Sequence, residues 1–154
     1  MITVRPYGKG NEGAFVALYR DCLTHYACDP APEAVEREVL AELAAPHGTF
    51  ADIAWSGDRA VGLTCWLRVF PAGLGFALYL KELFVTDAAR GTGAGRALMA
   101  ALAARAVATG AGQLRWETGE AQARAFYRRL GAVDDGRTHY TMAGAALRAL
   151  AASG

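Results

Sequence analysis

The 154-residue sequence is poor in lysine, cysteine and histidine, and it lacks any long apolar run. Its three cysteines, Cys22, Cys28 and Cys65, are an odd number with no CxxC pair. That excludes a disulfide framework and reads as a reduced, cytoplasmic protein. His25, His47 and His139 share no metal-ligand spacing with one another or with the cysteines. Each reads as a polar or surface residue, and no metal is expected. The longest apolar stretch, Ala97 to Ala108, is broken by Arg105 and falls far short of the ~20 residues a membrane span needs. No secretory segment precedes the strand-like Met1-Ile2-Thr3-Val4-Arg5. A formal charge of +1, from 16 basic against 15 acidic residues, gives no global field to draw nucleic acid or an anionic membrane. Fourteen arginines against two lysines reads as biased genomic base composition and carries no function. With 53% hydrophobic and 20% charged residues, disorder is excluded. Neither repeats nor a linker divides the chain, so a single domain over 1–154 is expected.

The small total charge hides a division. Residues 1–89 sum to −4 and residues 90–154 to +5. Two readings fit: binding regions of opposite sign, one for an anionic ligand and one for a cationic ligand, or uneven placement of solvated charge.

Ile2 to Arg5 alternates as a first strand, ended by Pro6-Tyr7-Gly8. From Glu12 to Tyr26 apolar residues recur at helical spacing, and Asp29-Pro30-Ala31-Pro32 stops the pattern. A second helix is expected over Glu33 to Leu43, broken by Pro46-His47-Gly48. Thr49 to Ser56 and Ala60 to Phe70 read as a hairpin about Gly57-Asp58-Arg59. Pro71-Ala72-Gly73 then turns the chain into a strand from Leu74 to Thr86, completing an antiparallel meander. Beyond it the pattern predicts an Ala-rich helix to Thr109 and a strand over Gln113 to Thr118. A helix over Ala121 to Leu130, a last strand near Thr138 to Met142, and a short helix or frayed tail over 145–152 complete the chain. Leu98, Leu102 and Val107 form the expected packing stripe of the Ala-rich helix. Trp55, Trp66 and Trp116 fall on expected strands, as core or as substrate-wall aromatics.

Between strand and helix stands Arg90-Gly91-Thr92-Gly93-Ala94-Gly95-Arg96. Closely spaced glycines admit a ligand to backbone N–H groups, and a helix N-terminus adds partial positive charge; both suit a phosphate or pyrophosphate. The bland reading is a glycine-rich turn without a ligand. A Walker loop needs Gly-Lys and then Ser or Thr, whereas Gly95 is followed by Arg96-Ala97. A dinucleotide fingerprint needs a third glycine where Arg96 stands, and it opens a βαβ unit instead of following a meander.

Leu80-Lys81-Glu82-Leu83-Phe84-Val85 through Arg90-Gly91-Thr92-Gly93-Ala94-Gly95-Arg96-Ala97-Leu98-Met99 resembles the acetyl-CoA-binding motif of the GNAT superfamily of N-acetyltransferases. Downstream, Ala123-Arg124-Ala125-Phe126-Tyr127-Arg128-Arg129-Leu130-Gly131-Ala132 resembles the family helix that meets the thiol end of the cofactor. The resemblance implies an α/β fold with a mixed, mostly antiparallel sheet, splayed between its fourth and fifth strands and flanked by helices. It implies acetyl-CoA as donor, held by Leu83, Phe84, Val85, Arg90, Gly91, Thr92, Gly93, Ala94, Gly95, Arg96, Glu120, Ala123 and Phe126. It also implies a homodimer.

Acetyl transfer to an amine needs a neutral amine, a polarised thioester carbonyl and a proton for the leaving thiolate. By resemblance, a backbone N–H between Leu83 and Val85 meets the carbonyl. Tyr127 is the general acid, because a phenol of pKa near 10 can protonate a thiolate near 8.5; its alternative is a packed core aromatic. Glu82 is the base candidate or, equally, a surface acid in a salt bridge. Lys81, Glu82 and Tyr26 are the expected acceptor contacts. Tyr79-Leu80-Lys81-Glu82-Leu83-Phe84-Val85 and Leu114-Arg115-Trp116 resemble most the diamine and polyamine branch. Lys81 departs from that branch's first acid, and Cys22-Leu23-Thr24-His25-Tyr26-Ala27 lacks both of its glutamates. Glu120 stands where the family often has asparagine. The acceptor is therefore expected to be a small primary amine: a polyamine, a diamine or an amino acid side chain. The alternatives are a peptide or protein acetyltransferase, a non-catalytic acyl-CoA-binding module, and an NAD-type binder.

Overall fold

A computed structural model describes residues 1–28, 32–46, 48–70, 73 and 75–153. The Asp29-Pro30-Ala31 stop, His47 and the Pro71-Ala72 turn lie outside the described residues. In chain order the elements are β1 (Ile2–Pro6), α1 (Glu12–His25), α2 (Pro32–Ala44), β2 (Phe50–Ser56), β3 (Arg59–Val69) and β4 (Ala77–Val85). A short 3-10 turn over Asp87–Ala89 follows, then α3 (Ala94–Thr109), β5 (Leu114–Arg115), α4 (Ala121–Arg129) and α5 (Gly144–Ala151). The chain forms two compact units, Met1–Glu117 and Thr118–Gly154.

The first unit is a five-stranded sheet in the order β1-β2-β3-β4-β5. The first three pairings are antiparallel and the β4–β5 pairing is parallel. Two-residue Gly57-Asp58 closes the β2–β3 hairpin, with Gly57 at φ +60° as tight hairpin turns require. The β4–β5 ladder consists of Leu78 with Leu114 and Tyr79 with Arg115. From Leu80 to Val85 the described part of β4 continues with no β5 partner, so the sheet opens there as the resemblance implies.

Each face of the sheet has its own core. On one, Phe15, Leu18 and Cys22 of α1 pack on Ala51, Ile53, Leu63, Cys65 and Phe84, joined by Val39, Leu40 and Leu43 of α2. On the other, Ala94 and Leu98 of α3 pack with Ala54, Val61 and Ala89 against Ile2, Val4, Leu83 and Val85. Gly62 admits this helix: a Cβ there would stand 2.7 Å from the Phe84 carbonyl oxygen and 3.3 Å from Leu98 Cδ1. Also on this helix, Arg105 reaches Asp52, which is 1% exposed. Arg105 Nη2 donates to Asp52 Oδ1 at 2.5 Å and Trp66 Nε1 donates to Oδ2 at 2.9 Å. Burial pushes the Asp52 carboxyl up, against the charge and hydrogen bond of Arg105 and the indole hydrogen bond.

Three expectations are corrected. Val107 is 81% exposed, while Ala94, Leu98, Met99, Leu102 and Ala106 are buried. The stripe runs through the alanines, and Val107 lies one residue, about 100° of helix, beyond it. The strand expected over Gln113 to Thr118 contracts to Leu114–Arg115, which leaves Trp116 half-buried beyond its end. Thr138 to Met142 forms no strand; Tyr140 is 88% and Met142 52% exposed. Strand propensity expresses itself through a pairing neighbour, and here no described strand supplies one. The tail forms α5, the short helix that is one of the two readings of it, and buries none of its residues.

Candidate active site

The phase of β4 determines what the open strand presents. Leu80 pairs with Trp66, but Glu82 pairs with Cys65, the next residue along β3, so Lys81 is an extra residue in a β-bulge. Without the bulge Leu80, Glu82 and Phe84 would share one face. With it, Glu82 and Phe84 turn to the face of Cys65 and α1, where Phe84 joins the core and Glu82 stays half-buried. Lys81 is exposed.

Tyr19, Cys22 and Cys65 surround the Glu82 carboxyl closely enough to feel its charge. Burial, followed by neighbouring charge, pushes the Tyr19 hydroxyl and the Cys22 thiol up to about 12 and the Cys65 thiol higher still. All three remain protonated at neutral pH and none is a nucleophile there. Burial also pushes the Glu82 carboxyl above the ordinary carboxylate value, against the opposing charge of Lys81. A carboxylate raised in this way is a better proton acceptor at neutral pH than a solvated one.

The end of α1 overhangs the same face. His25 lies 6.0 Å from the Phe84 ring and 4.9 Å, edge to face, from Tyr26. Ala27 adopts φ +48°, a left-handed conformation that glycine usually fills. Cys28 N–H donates to Leu23 C=O, and Ala27 N–H to Thr24 C=O. These two bonds form the Schellman motif that ends the helix and fixes where Tyr26 leaves it.

Beyond Val85 the chain passes the 3-10 turn and reaches the glycines. Gly91 and Gly93 adopt φ +79° and +92°. Nothing lies within 4 Å of where a Cβ would stand on either, so backbone is open to approach. Thr92 Oγ1 donates to Ala89 C=O at 2.7 Å, and Arg90 pairs with Asp87 at 2.8 Å. No side chain caps α3, so its first-turn N–H groups ahead of Ala97 have no side-chain acceptor. Arg96 is exposed in that turn. Uncapped amides, an open glycine backbone and two arginines fit a phosphate-bearing ligand.

Lower on β4, Tyr79 Oη donates to Glu117 Oε1 at the last β4–β5 pair. Burial, the bond to Glu117 and its charge push this phenol up to about 12, against the charge of Arg115.

Thus the first unit gathers Tyr26, Lys81, Glu82, Leu83, Phe84, Val85 and the 90–96 turn on or next to the opened strand. The second unit carries Glu120, Ala123, Phe126 and Tyr127. Glu120 is exposed at the start of α4, with its backbone N–H bonded to Thr118 Oγ1. Ala123, Phe126 and Tyr127 are the partly or fully covered residues on one side of α4, and the Tyr127 ring lies 5.1 Å from Phe126. Among the described residues no cluster of three or more His, Cys, Asp or Glu could hold a metal ion, and no helix is long and apolar enough to cross a membrane.

The sequence reading overlooked Tyr19, Cys22 and Cys65 around Glu82, and Gly62 under α3. A signal existed for the first group: Leu80 and Phe84 are both apolar and lie an even number of residues apart, yet the lysine and glutamate between them break the alternation where a bulge must fall.

The acetyltransferase (GNAT) family model matches residues 14–132. No curated protein sequence matches the chain. Among solved structures, an integron cassette protein from the mobile metagenome of V. cholerae is 25% identical, with 97% of each chain covered and a TM-score of 0.82. A Trypanosoma brucei acetyltransferase is 18% identical, with 93% of this chain and 100% of that chain covered and a TM-score of 0.71. An aminoglycoside acetyltransferase from an uncultured soil metagenomic sample is 15% identical, with 92% and 95% covered and a TM-score of 0.75. The last two likenesses are of fold.

Proposed function

The chain belongs to the acetyltransferase (GNAT) family, whose model spans residues 14–132, and on that premise we propose that it acetylates the primary amine of a small molecule by direct attack. The acceptor class is a polyamine, a diamine or an amino acid side chain. When bound, acetyl-CoA supplies the thioester. The observation that carries the reading is the bulge at Lys81, which sets the half-buried Glu82 carboxyl on the α1 face of the β4 segment that has no β5 partner and leads into the open glycine turn.

The roles proposed are those the family resemblance assigns to these residues. Glu82 takes a proton from the incoming ammonium, leaving the amine lone pair free. The amine nitrogen then bonds to the acetyl carbon as the carbon–sulfur bond breaks, and Tyr127 donates its phenolic proton to the departing thiolate; the nitrogen's second proton leaves as the amide forms and restores the phenol, and Glu82 releases its proton to solvent. Backbone N–H groups of Leu83 to Val85 stabilise charge on the carbonyl oxygen, while the 90–96 turn, with Glu120, Ala123 and Phe126, holds the donor.

Steady-state kinetics with the Tyr127→Phe variant test the assignment. Loss of the general acid lowers kcat by roughly 10²–10⁴-fold with little change in KM for acetyl-CoA. Unchanged kcat removes Tyr127 from the role. A KM effect alone makes it a binding residue.

A further inference from the structure

The surroundings of Glu82 favour a different acceptor from the polyamine, diamine or amino acid side chain above, an inference that rests only on the acetyl-transfer reading. Two features bear on it. The first is charge: Lys81 adjoins Glu82 and its charge reaches the carboxyl. A second ammonium on the acceptor would meet that cation, and repulsion of this kind rejects a ligand as effectively as contacts select one. The other carboxylate near β4, Glu117, already accepts a hydrogen bond from Tyr79 at the β5 end of the strand. The second feature is aromatic. His25 and Tyr26 are exposed, Tyr26 by 47%, and their edge-to-face pair continues into Phe84, two residues from Glu82 on the same face. Exposed rings that continue into a core aromatic beside a half-buried carboxylate offer stacking to one end of a ligand and a charge partner to the other. The Schellman motif at Ala27 holds Tyr26 there through main-chain bonds, so the surface is preorganised.

We propose that the preferred acceptor is an arylalkyl monoamine, with its ring against the exposed His25 and Tyr26 and its single amino group at Glu82. The bonds made and broken are those of the transfer already described; only the body of the acceptor is specified. Polyamines present flexible, multiply charged chains with no π face and meet Lys81.

The test is thiol release from acetyl-CoA with phenethylamine, ethanolamine, putrescine and spermidine, measured on the full chain. Expected is a kcat/KM for phenethylamine about tenfold or more above the other three, the factor one good aromatic contact supplies. Tyr26→Ala should bring the phenethylamine-to-ethanolamine ratio down toward one, and Tyr26→Phe, which keeps the ring, should restore it. Preference for putrescine or spermidine overturns the inference and leaves the acetyl-transfer reading standing. So does a ratio that Tyr26→Ala does not move. No release with any of the amines overturns both.

Discussion

Glu82 is where residue chemistry and function meet. Burial raises its carboxyl above the ordinary value, so the folded chain binds that proton more tightly than the unfolded chain does. Stability therefore falls as pH rises from the ordinary value, about 4.3, through the raised one. The same ionisation produces the carboxylate proposed as the base, so on that proposal the cost to the fold is the condition for the chemistry. Glu82→Gln should accordingly melt higher at pH 7 than the natural chain, while its kcat/KM profile loses the acidic limb. A lower melting temperature at pH 7 would contradict the burial account, and an intact acidic limb would remove Glu82 as the base. Asp52 has a different role. Its two hydrogen bonds tie β2, β3 and α3 together, and Arg105→Ala would leave a buried carboxylate without its cation. The expected loss is about 3–5 kcal/mol by denaturant unfolding at neutral pH, easing as pH falls and Asp52 is protonated. A loss under about 1 kcal/mol would mean that water replaces the guanidinium.

Among the elements, β4 and α3 set the site. Gly62 lies under their junction, and Gly62→Ala must move the Phe84 carbonyl or the helix, at about 1–3 kcal/mol. Weaker CoA binding should accompany the loss, because the moved pieces flank the open end of β4 and the glycine turn. Wild-type stability with wild-type CoA affinity would show that the junction yields freely. The same elements show what sequence can and cannot reveal. The meander, the two N-terminal helices, the glycine turn and α3 were legible because each is a local pattern: alternation, helical spacing, or glycine where φ is positive. The α3 face was misread because alanine hardly registers as apolar in a sequence pattern yet packs closest. The strand expected at Thr138 to Met142 failed because pairing depends on a partner that alternation does not reveal. Tyr19, Cys22 and Cys65 came to Glu82 through long-range register and a bulge, which no local window contains.

For the molecule as a whole, the division of charge acquires a physical basis. The basic half opens at Arg90, beside the uncapped start of α3, and the acidic half includes α1, α2 and Glu82. An anionic donor and an acceptor that arrives as a cation fit those two regions. The near-neutral total conceals that division. The central claim, acetyl transfer to an amine, is tested most directly by following free thiol and N-acetylated amine together when acetyl-CoA and an amine panel are mixed with the full chain. Thiol release should depend on the amine, with one N-acetyl product formed for each thiol. Tight CoA binding with no amine-dependent release would contradict it and make the chain an acyl-CoA-binding module.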